Sequence, residues 1–231
     1  MRQVVLDTET TGIDISAGNR LIEIGCVELV NRKLTGRHYH QYVNPHFQVE
    51  EGAFNVHGIS NEFLADKPDF IDVQDEFMAF VDGAELVIHN APFDVGFLNH
   101  ELKLAGGKFA DLENYCGIID TLVMARKKHP GARNTLDALC KRYGVDNGHR
   151  TLHGALLDAE ILADVYLLIT GGQKGLALGG DGDDGRVEVE MIRQADSALG
   201  LNIIKANAEE VALHEAYLEL IDKKSAGNGF W

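Results

Sequence analysis

The chain has 231 residues, 45% of them hydrophobic, which is enough for one substantial core and an appendage. Its formal net charge of -15 disfavours a protein that holds long duplex nucleic acid by itself, because such proteins usually present a basic surface. No apolar run is as long as a membrane span, and the chain enters a predicted strand almost at once. We therefore expect a cytoplasmic protein with no membrane contact.

Three cysteines bear on the redox chemistry of the chain. Cys26, Cys116 and Cys140 are widely spaced and embedded in apolar patterns. An odd number with this spacing fits reduced thiols in the core better than a disulfide framework or a zinc site.

The stretch 126–150 is basic although the chain as a whole is acidic. It holds seven basic residues and two acidic ones, a local net charge of +5. One face of the protein is therefore able to meet phosphate groups. A solvated helical surface would explain the same residues equally well.

The first predicted strand ends in the pattern Asp7-Thr8-Glu9-Thr10-Thr11-Gly12, after an apolar run at 4–6. Because side chains alternate along a strand, Asp7 and Glu9 project to the same side, roughly 6 to 7 Å apart at the backbone. Two neighbouring carboxylates repel each other unless a cation lies between them, and oxygen ligands of this kind suit Mg²⁺ or Mn²⁺. A strand that runs into a polar turn would show the same residues, so the pattern alone does not decide.

The following segments predict a meander of strands and then alternating helices and strands. Strands are expected at 21–30, 33–43, 85–89 and 118–120. Residues 54–59 read as a loop, and helices are expected from residue 61 and at 69–81, 90–105, 121–129, 135–143 and 153–169. Asn134 is the expected cap of the helix at 135–143. This order predicts an α/β fold with a mixed central sheet flanked by helices.

The composition changes near residue 171. Residues 171–185 contain seven glycines and three aspartates, which predicts a flexible acidic linker. We therefore expect a domain at 1–172, a linker at 173–192 and a tail at 193–231. Within the tail, Asn207 and Glu210 fit a capping box for a helix at about 207–224. That helix is too short to form a hydrophobic core by itself, so its apolar stripe is expected to pack on a partner protein.

Two further acidic residues and one histidine stand out in the first domain. Asp94 follows a predicted strand at the start of a helix, where a carboxylate is also favourable for the helix dipole alone. Asp158 lies three residues after Ala155 and four before Leu162, at the margin of the apolar stripe of its helix. It is therefore expected to face inward, which is rare for a carboxylate without a partner. His153 lies at the start of the same helix.

The motifs DTETTG at 7–12, VIHNAPFD at 87–94 and TLHGALLDA at 151–159 occur in this order and spacing. Together they resemble the DEDDh family of 3′ to 5′ exonucleases, and the resemblance covers the whole chain. It implies a ribonuclease H-like fold and a site with two divalent cations, Mg²⁺ or Mn²⁺.

The resemblance also implies a role for each residue of this site. Asp7 is expected to bridge the two ions, with Glu9 and Asp158 in the shell of the first. Asp94 is expected to hold a ligand water or the second ion, and His153 to act as the general base that deprotonates the attacking water. The product would be a nucleoside 5′-monophosphate removed from a single-stranded or frayed 3′ DNA end.

Contacts with the terminal nucleotide follow from the same resemblance. They are expected from Thr10, Thr11 and His57, together with the metal-binding residues Asp7, Glu9 and Asp158. One departure affects this loop, since Gly52 occupies a position where close relatives in the family carry a glutamate. Glu51 is adjacent and is an expected substitute.

The linker and tail also imply partners. Residues 173–178 resemble a peptide that binds the beta sliding clamp, with Gln173, Leu176 and Leu178 as anchors, although a mere linker hydrophobe would look similar. The tail is expected to bind the alpha, or polymerase, subunit of a bacterial replicative DNA polymerase, and tethering would raise the effective concentration of the clamp peptide. A small theta-like subunit is a further partner that the resemblance leaves open.

Two other functions compete with proofreading of DNA. An exoribonuclease of the same superfamily would use the same five residues, because the site alone does not choose between sugars. The linker and tail argue against this reading, since a stand-alone ribonuclease needs neither. An inactive adaptor between polymerase and clamp would be expected to lack catalytic residues, yet all five are present.

Overall fold

The computed structural model describes residues 1–148, 152–171 and 207–224, with side chains at 207–215 and 218 in the last segment. The chain divides into two units, Met1–Leu176 and Ala177–Trp231. None of the described helices is long and apolar enough to cross a membrane. The predicted linker and the clamp-binding peptide, with Gln173, Leu176 and Leu178, lie outside the described residues.

A five-stranded sheet forms the centre of the first unit. Its strands are β1 (Arg2–Thr10), β2 (Leu21–Val30), β3 (Lys33–Tyr42), β4 (Glu85–Ile88) and β5 (Gly117–Asp120), in the spatial order β3-β2-β1-β4-β5. β2 is antiparallel to β1 and β3, whereas β1, β4 and β5 run parallel. The predicted mixed sheet flanked by helices is therefore confirmed. The carboxyl ends of the three parallel strands meet at one edge, where open α/β sheets usually bind ligands.

Helices cover both faces of this sheet. They are α1 (Glu51–His57), α2 (Asn61–Leu64), α3 (Phe70–Val81), α4 (Ala91–Leu104), α5 (Thr121–Lys128), α6 (Leu136–Tyr143) and α7 (Ala155–Thr170). Alternation along β1 explains the two cores, because Val4 and Leu6 pack with residues of α3 and α4 while Val5 packs with residues of α6 and α7. Both faces of β1 are buried, which accounts for its continuous apolar run.

Two local predictions were wrong. Residues 54–59 are not a loop, because Phe54 and His57 belong to α1, which ends at Gly58 with φ 71°. Only His57 of this helix is buried, so α1 has no apolar stripe that a periodicity argument could detect. The cap of α6 is Thr135, whose hydroxyl accepts from the backbone N–H of Ala138 at 3.3 Å, and not Asn134.

All three cysteines are buried, and none of them forms a disulfide within the described part of the chain, which confirms the prediction of reduced core thiols. Cys26 and Cys116 belong to the core that faces α3 and α4, and Cys140 to the opposite core. Burial raises the pKa of the Cys116 thiol to about 11. Such a thiol is almost entirely protonated at neutral pH and is therefore a weak nucleophile.

The second unit contains α8 (Ala208–Lys224). Its start is a capping box, in which the Asn207 N–H donates to Glu210 Oε2 at 2.9 Å and the Glu210 N–H donates to Asn207 Oδ1 at 2.9 Å. The cap that the sequence predicts is thus present. Val211 and Leu213 are largely exposed on this helix.

Candidate active site

An open cleft of about 890 Å³ lies at the carboxyl edge of the parallel strands. All five residues that the sequence analysis assigns to catalysis line it, namely Asp7, Glu9, Asp94, His153 and Asp158. They come from β1, α4, α7 and the segment just before α7, and the first and last of them are 151 positions apart. The fold therefore brings together acids that are distant in the sequence.

Strand β1 contributes carboxylates through its alternation. Asp7 and Glu9 share the face of Val5, which packs in the core with α7. Glu9 is buried and Asp7 is half-buried. Thr8, between them, points to the other face, where its hydroxyl donates to Asp94 Oδ1 at 2.7 Å. A single strand end thus supplies two acids and orients a third.

Helix α7 places Asp158 in its first turn, where the partial positive charge of the helix start favours a carboxylate. The Asp158 side chain is buried, and its Oδ2 lies 3.3 Å from His153 Nδ1. His153 precedes the helix, and its backbone N–H donates to the Val56 carbonyl at 3.1 Å. This bond ties the segment before α7 to α1, so the imidazole is held beside Asp158 while 42% of its side chain remains exposed.

Gly25 on β2 allows α7 to approach the sheet closely. A Cβ atom there would lie 2.2 Å from the Ala155 carbonyl carbon and 2.2 Å from the Leu156 nitrogen, which no real side chain tolerates. Gly25 pairs with Asp7 across the β1–β2 ladder. The start of α7 therefore lies directly over the strand pair that carries Asp7. A glycine inside a predicted strand was the available signal, because such a residue often marks a close backbone approach.

Asp94 lies in the first turn of α4 and is almost completely buried. Burial raises its pKa to about 7, and the negative charge of Asp120 acts in the same direction. The hydrogen bond from Thr8 partly opposes this shift because it stabilises the ionised form. A cation in the cleft would also favour the ionised carboxylate.

Three of these groups are arranged as ligands. Glu9, His153 and Asp158 each offer a ligand atom, and these atoms all lie within 4.8 Å of one another. Asp7 lines the same cleft from the same face of β1 as Glu9. Carboxylate oxygens with one imidazole nitrogen fit a divalent cation.

The three residues predicted to contact the terminal nucleotide are buried in the protein. Thr10 Oγ1 donates to the Gly12 carbonyl at 2.7 Å, and Thr11 Oγ1 donates to Asn19 Oδ1 at 2.7 Å, so both buried hydroxyls are engaged in the loop after β1. His57 is also buried, and its Nδ1 accepts from the backbone N–H of Ile59 at 3.0 Å. Burial lowers the pKa of His57. None of the three is among the described residues that line the cleft, so their substrate contacts stay a prediction.

Gly52, at the position where close relatives in the family carry a glutamate, lies on the surface. Gly52 and Glu51 are both exposed in α1, and a Cβ atom at Gly52 would meet nothing within 4 Å. Neither residue is among the described ones that line the cleft.

Residues 4–166 match the sequence profile of a protein family described as Exonuclease. The matched segment is well over half of the chain and contains all five residues that the sequence analysis assigns to catalysis. The chain belongs to this exonuclease family. Membership implies dependence on a divalent metal, and the ligand cluster of this chain fits that requirement.

Curated relatives resemble this exonuclease along its whole length. A DNA polymerase III subunit epsilon of Escherichia coli (strain K12) is 51% identical, with 100% of this chain and 97% of the relative covered. Proteins of the same name from Haemophilus influenzae (strain ATCC 51907 / DSM 11121 / KW20 / Rd) and Rickettsia prowazekii (strain Madrid E) are 47% and 45% identical. These alignments cover 100% and 96% of this chain, and 94% and 97% of the relatives.

Solved structures share the fold of this exonuclease. Exonuclease X in complex with 5′ overhanging duplex DNA aligns with a TM-score of 0.58 and 25% identity, over 73% of this chain and 91% of the other. E. coli Exonuclease I in complex with a dA16 oligonucleotide aligns with a TM-score of 0.63 and 17% identity, over 74% and 41%. At 17% identity the second likeness concerns the fold alone.

The cleft is also lined by residues that the sequence analysis did not assign to it, and these include His89, Asn90, Arg126 and Asn134. His89 Nδ1 lies 3.0 Å from Thr121 Oγ1, and burial lowers the pKa of this histidine. Asn90, two residues after the end of β4, is in the left-handed region with φ 70°. The signal for Arg126 was the basic stretch 126–150, which did not indicate which of its residues faces the acids.

Proposed function

We propose that this exonuclease is the proofreading subunit of a bacterial DNA polymerase III. It would remove mispaired 3′-terminal nucleotides from DNA in the 3′ to 5′ direction and release nucleoside 5′-monophosphates. The observation that carries the proposal is the meeting of four carboxylates and His153 in one cleft. The epsilon subunits that resemble the whole chain support the proofreading role.

The proposed metal site uses two divalent cations, Mg²⁺ or Mn²⁺. Asp7 would bridge the two positions, Glu9 and Asp158 would hold the first, and Asp94 would hold a ligand water or the second. Two such ions, when bound, stabilise the attacking and leaving oxygens of an in-line displacement. The ligand atoms of Glu9 and Asp158, which lie within 4.8 Å of each other, support the assignment of the first cation.

His153 is the proposed general base. Its ring is partly exposed in the cleft, and its Nδ1 lies 3.3 Å from Asp158 Oδ2. A carboxylate beside an imidazole orients the ring and stabilises the imidazolium that forms when the ring accepts a proton from water. A general base of this kind contributes typically about 10² to 10⁴ in rate.

The proposed contacts to the 3′-terminal nucleotide involve Thr10, Thr11 and His57. Both threonine hydroxyls donate hydrogen bonds within the loop after β1. This supports a role in shaping the loop, which a terminal nucleotide would meet. Asp7, Glu9 and Asp158 would act on the same nucleotide through the scissile phosphate. Gly52 would leave the contribution of this loop weaker than a glutamate would, unless Glu51 replaces it.

The proposed partners follow the subunit role. The alpha subunit would bind the tail at 193–231, the beta sliding clamp would bind 173–178 through Gln173, Leu176 and Leu178, and a small theta-like subunit is a further candidate. The name of the relatives supports association with DNA polymerase III and a place in cytoplasmic DNA replication. The capping box of α8 supports a preformed helix for the polymerase contact.

The test compares Asp158→Asn with Asp164→Asn, an exposed aspartate on the same helix. The substrates are a primer–template with a mismatched 3′ end, its matched form and a short RNA. The first variant is expected to lower kcat on mismatched DNA by about a hundredfold or more, as loss of an electrostatic group at the reacting centre does, and the control to stay near wild type. Faster degradation of RNA than of DNA would favour the exoribonuclease, and equal activity of both variants would refute the metal assignment.

A further inference from the structure

The cleft is larger than the acid cluster requires. Its volume of about 890 Å³ is near the upper end of the range for pockets that enclose a whole small molecule. Part of its lining comes from α5, from the α5–α6 loop and from the first residues of α6, including Arg126, Asn134 and Thr135. The four carboxylates assigned to the metal site lie on β1, α4 and α7, whereas this second group of elements brings further lining residues, one of them the carboxylate Asp137 of α6.

Arg126 differs from every other cleft residue in its charge. Among the lining residues that the structure describes, it is the only side chain that is always cationic. It is exposed, and within 1–148, 152–171 and 207–224 the structure records no carboxylate paired with its guanidinium. Its positive charge reaches into the cleft, since it helps to lower the pKa of His89.

The neighbouring lysines are placed otherwise. Lys128 donates to the Ile169 carbonyl at 2.7 Å and lies over the ring of Tyr143, so it ties α5 to α7. Lys127 is exposed and does not line the cleft. A general basic surface therefore does not explain why one arginine of α5 lines the acidic cleft with no carboxylate partner among the described residues.

The chemistry of the reaction identifies what this guanidinium meets. A nucleic-acid strand is an anion, and a cleft lined by several carboxylates repels every phosphate that no cation neutralises. Divalent cations held by these carboxylates would neutralise the scissile phosphate. Because the enzyme removes the 3′-terminal nucleotide, every other phosphate of the strand lies on the 5′ side of the bond that breaks.

We infer that Arg126 binds the internucleotide phosphate next to the scissile one in the 5′ direction, an inference that depends on the proposed 3′ to 5′ exonuclease function. The planar guanidinium offers paired N–H donors that match two phosphate oxygens. Arg126 thus aligns the strand and does not take part in the bond cleavage. Removing the guanidinium weakens the binding and alignment of a strand, and it leaves the chemistry at the scissile phosphate unchanged.

The experiment uses two substrates of the full-length protein. Thymidine 5′-(4-nitrophenyl phosphate) carries only the phosphate that is cleaved, whereas a single-stranded oligothymidylate also carries the neighbouring one. Arg126→Ala is expected to lower kcat/KM on the oligonucleotide by about tenfold to a hundredfold, the effect of one charge-assisted hydrogen bond, and to leave the nitrophenyl ester within about twofold. Arg126→Lys is expected to fall between, and Lys127→Ala, the matched control, to resemble wild type.

A second measurement locates the contact. An oligothymidylate with one neutral methylphosphonate in place of the neighbouring phosphate is expected to be a poorer substrate for wild type and to lose nothing further in Arg126→Ala. Equal losses of Arg126→Ala on the ester and the oligonucleotide, or no loss on either, would overturn the inference while the nuclease function stands. Failure of wild type to degrade the oligonucleotide from its 3′ end would refute the proposed function itself.

Discussion

Gly25 on β2 and Ala155 at the start of α7 are in direct backbone contact. A Cβ atom at residue 25 would lie 2.2 Å from the Ala155 carbonyl carbon and 2.4 Å from its oxygen. Ala155 lies two residues after His153 and three before Asp158 in the chain. The distance of these two groups from Glu9 on β1 therefore depends on the absence of a side chain at residue 25.

Gly25→Ala is expected to push the start of α7 away from the sheet. Overpacking of this kind costs typically about 1 to 3 kcal/mol of unfolding free energy, and a displacement of about 1 Å at reacting groups can cost about a hundredfold in rate. The melting temperature, the Mn²⁺ affinity and kcat on single-stranded DNA would measure both effects. Gly117→Ala on β5 is the matched control, because its Cβ would lie at an ordinary 3.6 Å from Glu85 Cγ. Unchanged Mn²⁺ affinity in Gly25→Ala would contradict the positioning role.

The raised pKa of Asp94 predicts how the metal-free protein responds to pH. The carboxyl keeps its proton up to about pH 7 in the folded state, whereas its ordinary value is 3.8. Between these pH values the folded state binds more protons than the unfolded state, so stability falls as the pH rises. A shift of this size corresponds to about 4 kcal/mol at most. Denaturant unfolding with a chelator, at pH 4 to 8, would measure it.

Asp94→Asn is the control for this pH dependence, since an amide has no proton to lose. The difference in unfolding free energy between wild type and Asp94→Asn is expected to change across this range and to be constant above it. Adding Mn²⁺ to wild type near pH 6 is expected to release a proton, because the cation favours the ionised carboxylate. Calorimetry in two buffers of different ionisation enthalpy would count that proton, and parallel pH curves for the two proteins would argue against a raised pKa.

An ion pair with a buried carboxylate joins the β1–β2 connection to α4. Arg20 Nε and Nη2 donate to Glu101 Oε1 and Oε2 at 2.7 and 2.6 Å, and the Leu21 N–H also donates to Oε1 at 3.2 Å. Glu101→Ala is expected to cost about 2 to 3 kcal/mol, because it leaves the partly buried Arg20 guanidinium and the buried Leu21 N–H without their acceptor. Lys103→Ala breaks the exposed pair with Asp111 and is expected to cost under about 1 kcal/mol. Urea unfolding would compare them, and similar losses would contradict this account.

The capping box of α8 predicts an effect on partner binding without an effect on catalysis. Asn207→Ala removes the oxygen that accepts from Glu210 N–H and is expected to weaken the helix by about 1 kcal/mol. Affinity for the alpha subunit should then fall by about fivefold, while the rate on single-stranded DNA stays unchanged. Surface plasmon resonance with immobilised alpha subunit would measure it. Asn207→Ser, which keeps an acceptor, should recover most of the affinity.

The fold class and the meeting of the acids could be predicted because each depends on a short-range pattern. The alternation of β1 sets the common face of Asp7 and Glu9, and the helical spacing from Ala155 to Leu162 sets the inward direction of Asp158. The three ordered motifs then add the expectation that these elements meet.

What the sequence did not reveal depends on contacts between distant segments. Helix α1 lacks an apolar stripe, and the bond from the His153 N–H to the Val56 carbonyl is a backbone contact that side-chain patterns do not encode. The buried hydrogen bond from Thr11 to Asn19 is another such contact. The sequence of the motif is the same whether this threonine contacts a ligand or closes a loop. Local patterns therefore predict secondary-structure elements and the directions of their side chains, but not these contacts between distant segments.

Because Cys26, Cys116 and Cys140 are buried, we expect thiol reagents to leave them unmodified in the native protein. A maleimide dye reacts with an accessible thiolate, so a single cysteine introduced at an exposed position would be labelled selectively in the native protein. Leu213, 68% exposed on α8, is such a position. Fluorescence from a dye at that site would follow the docking of the tail in real time without any change to the native cysteines.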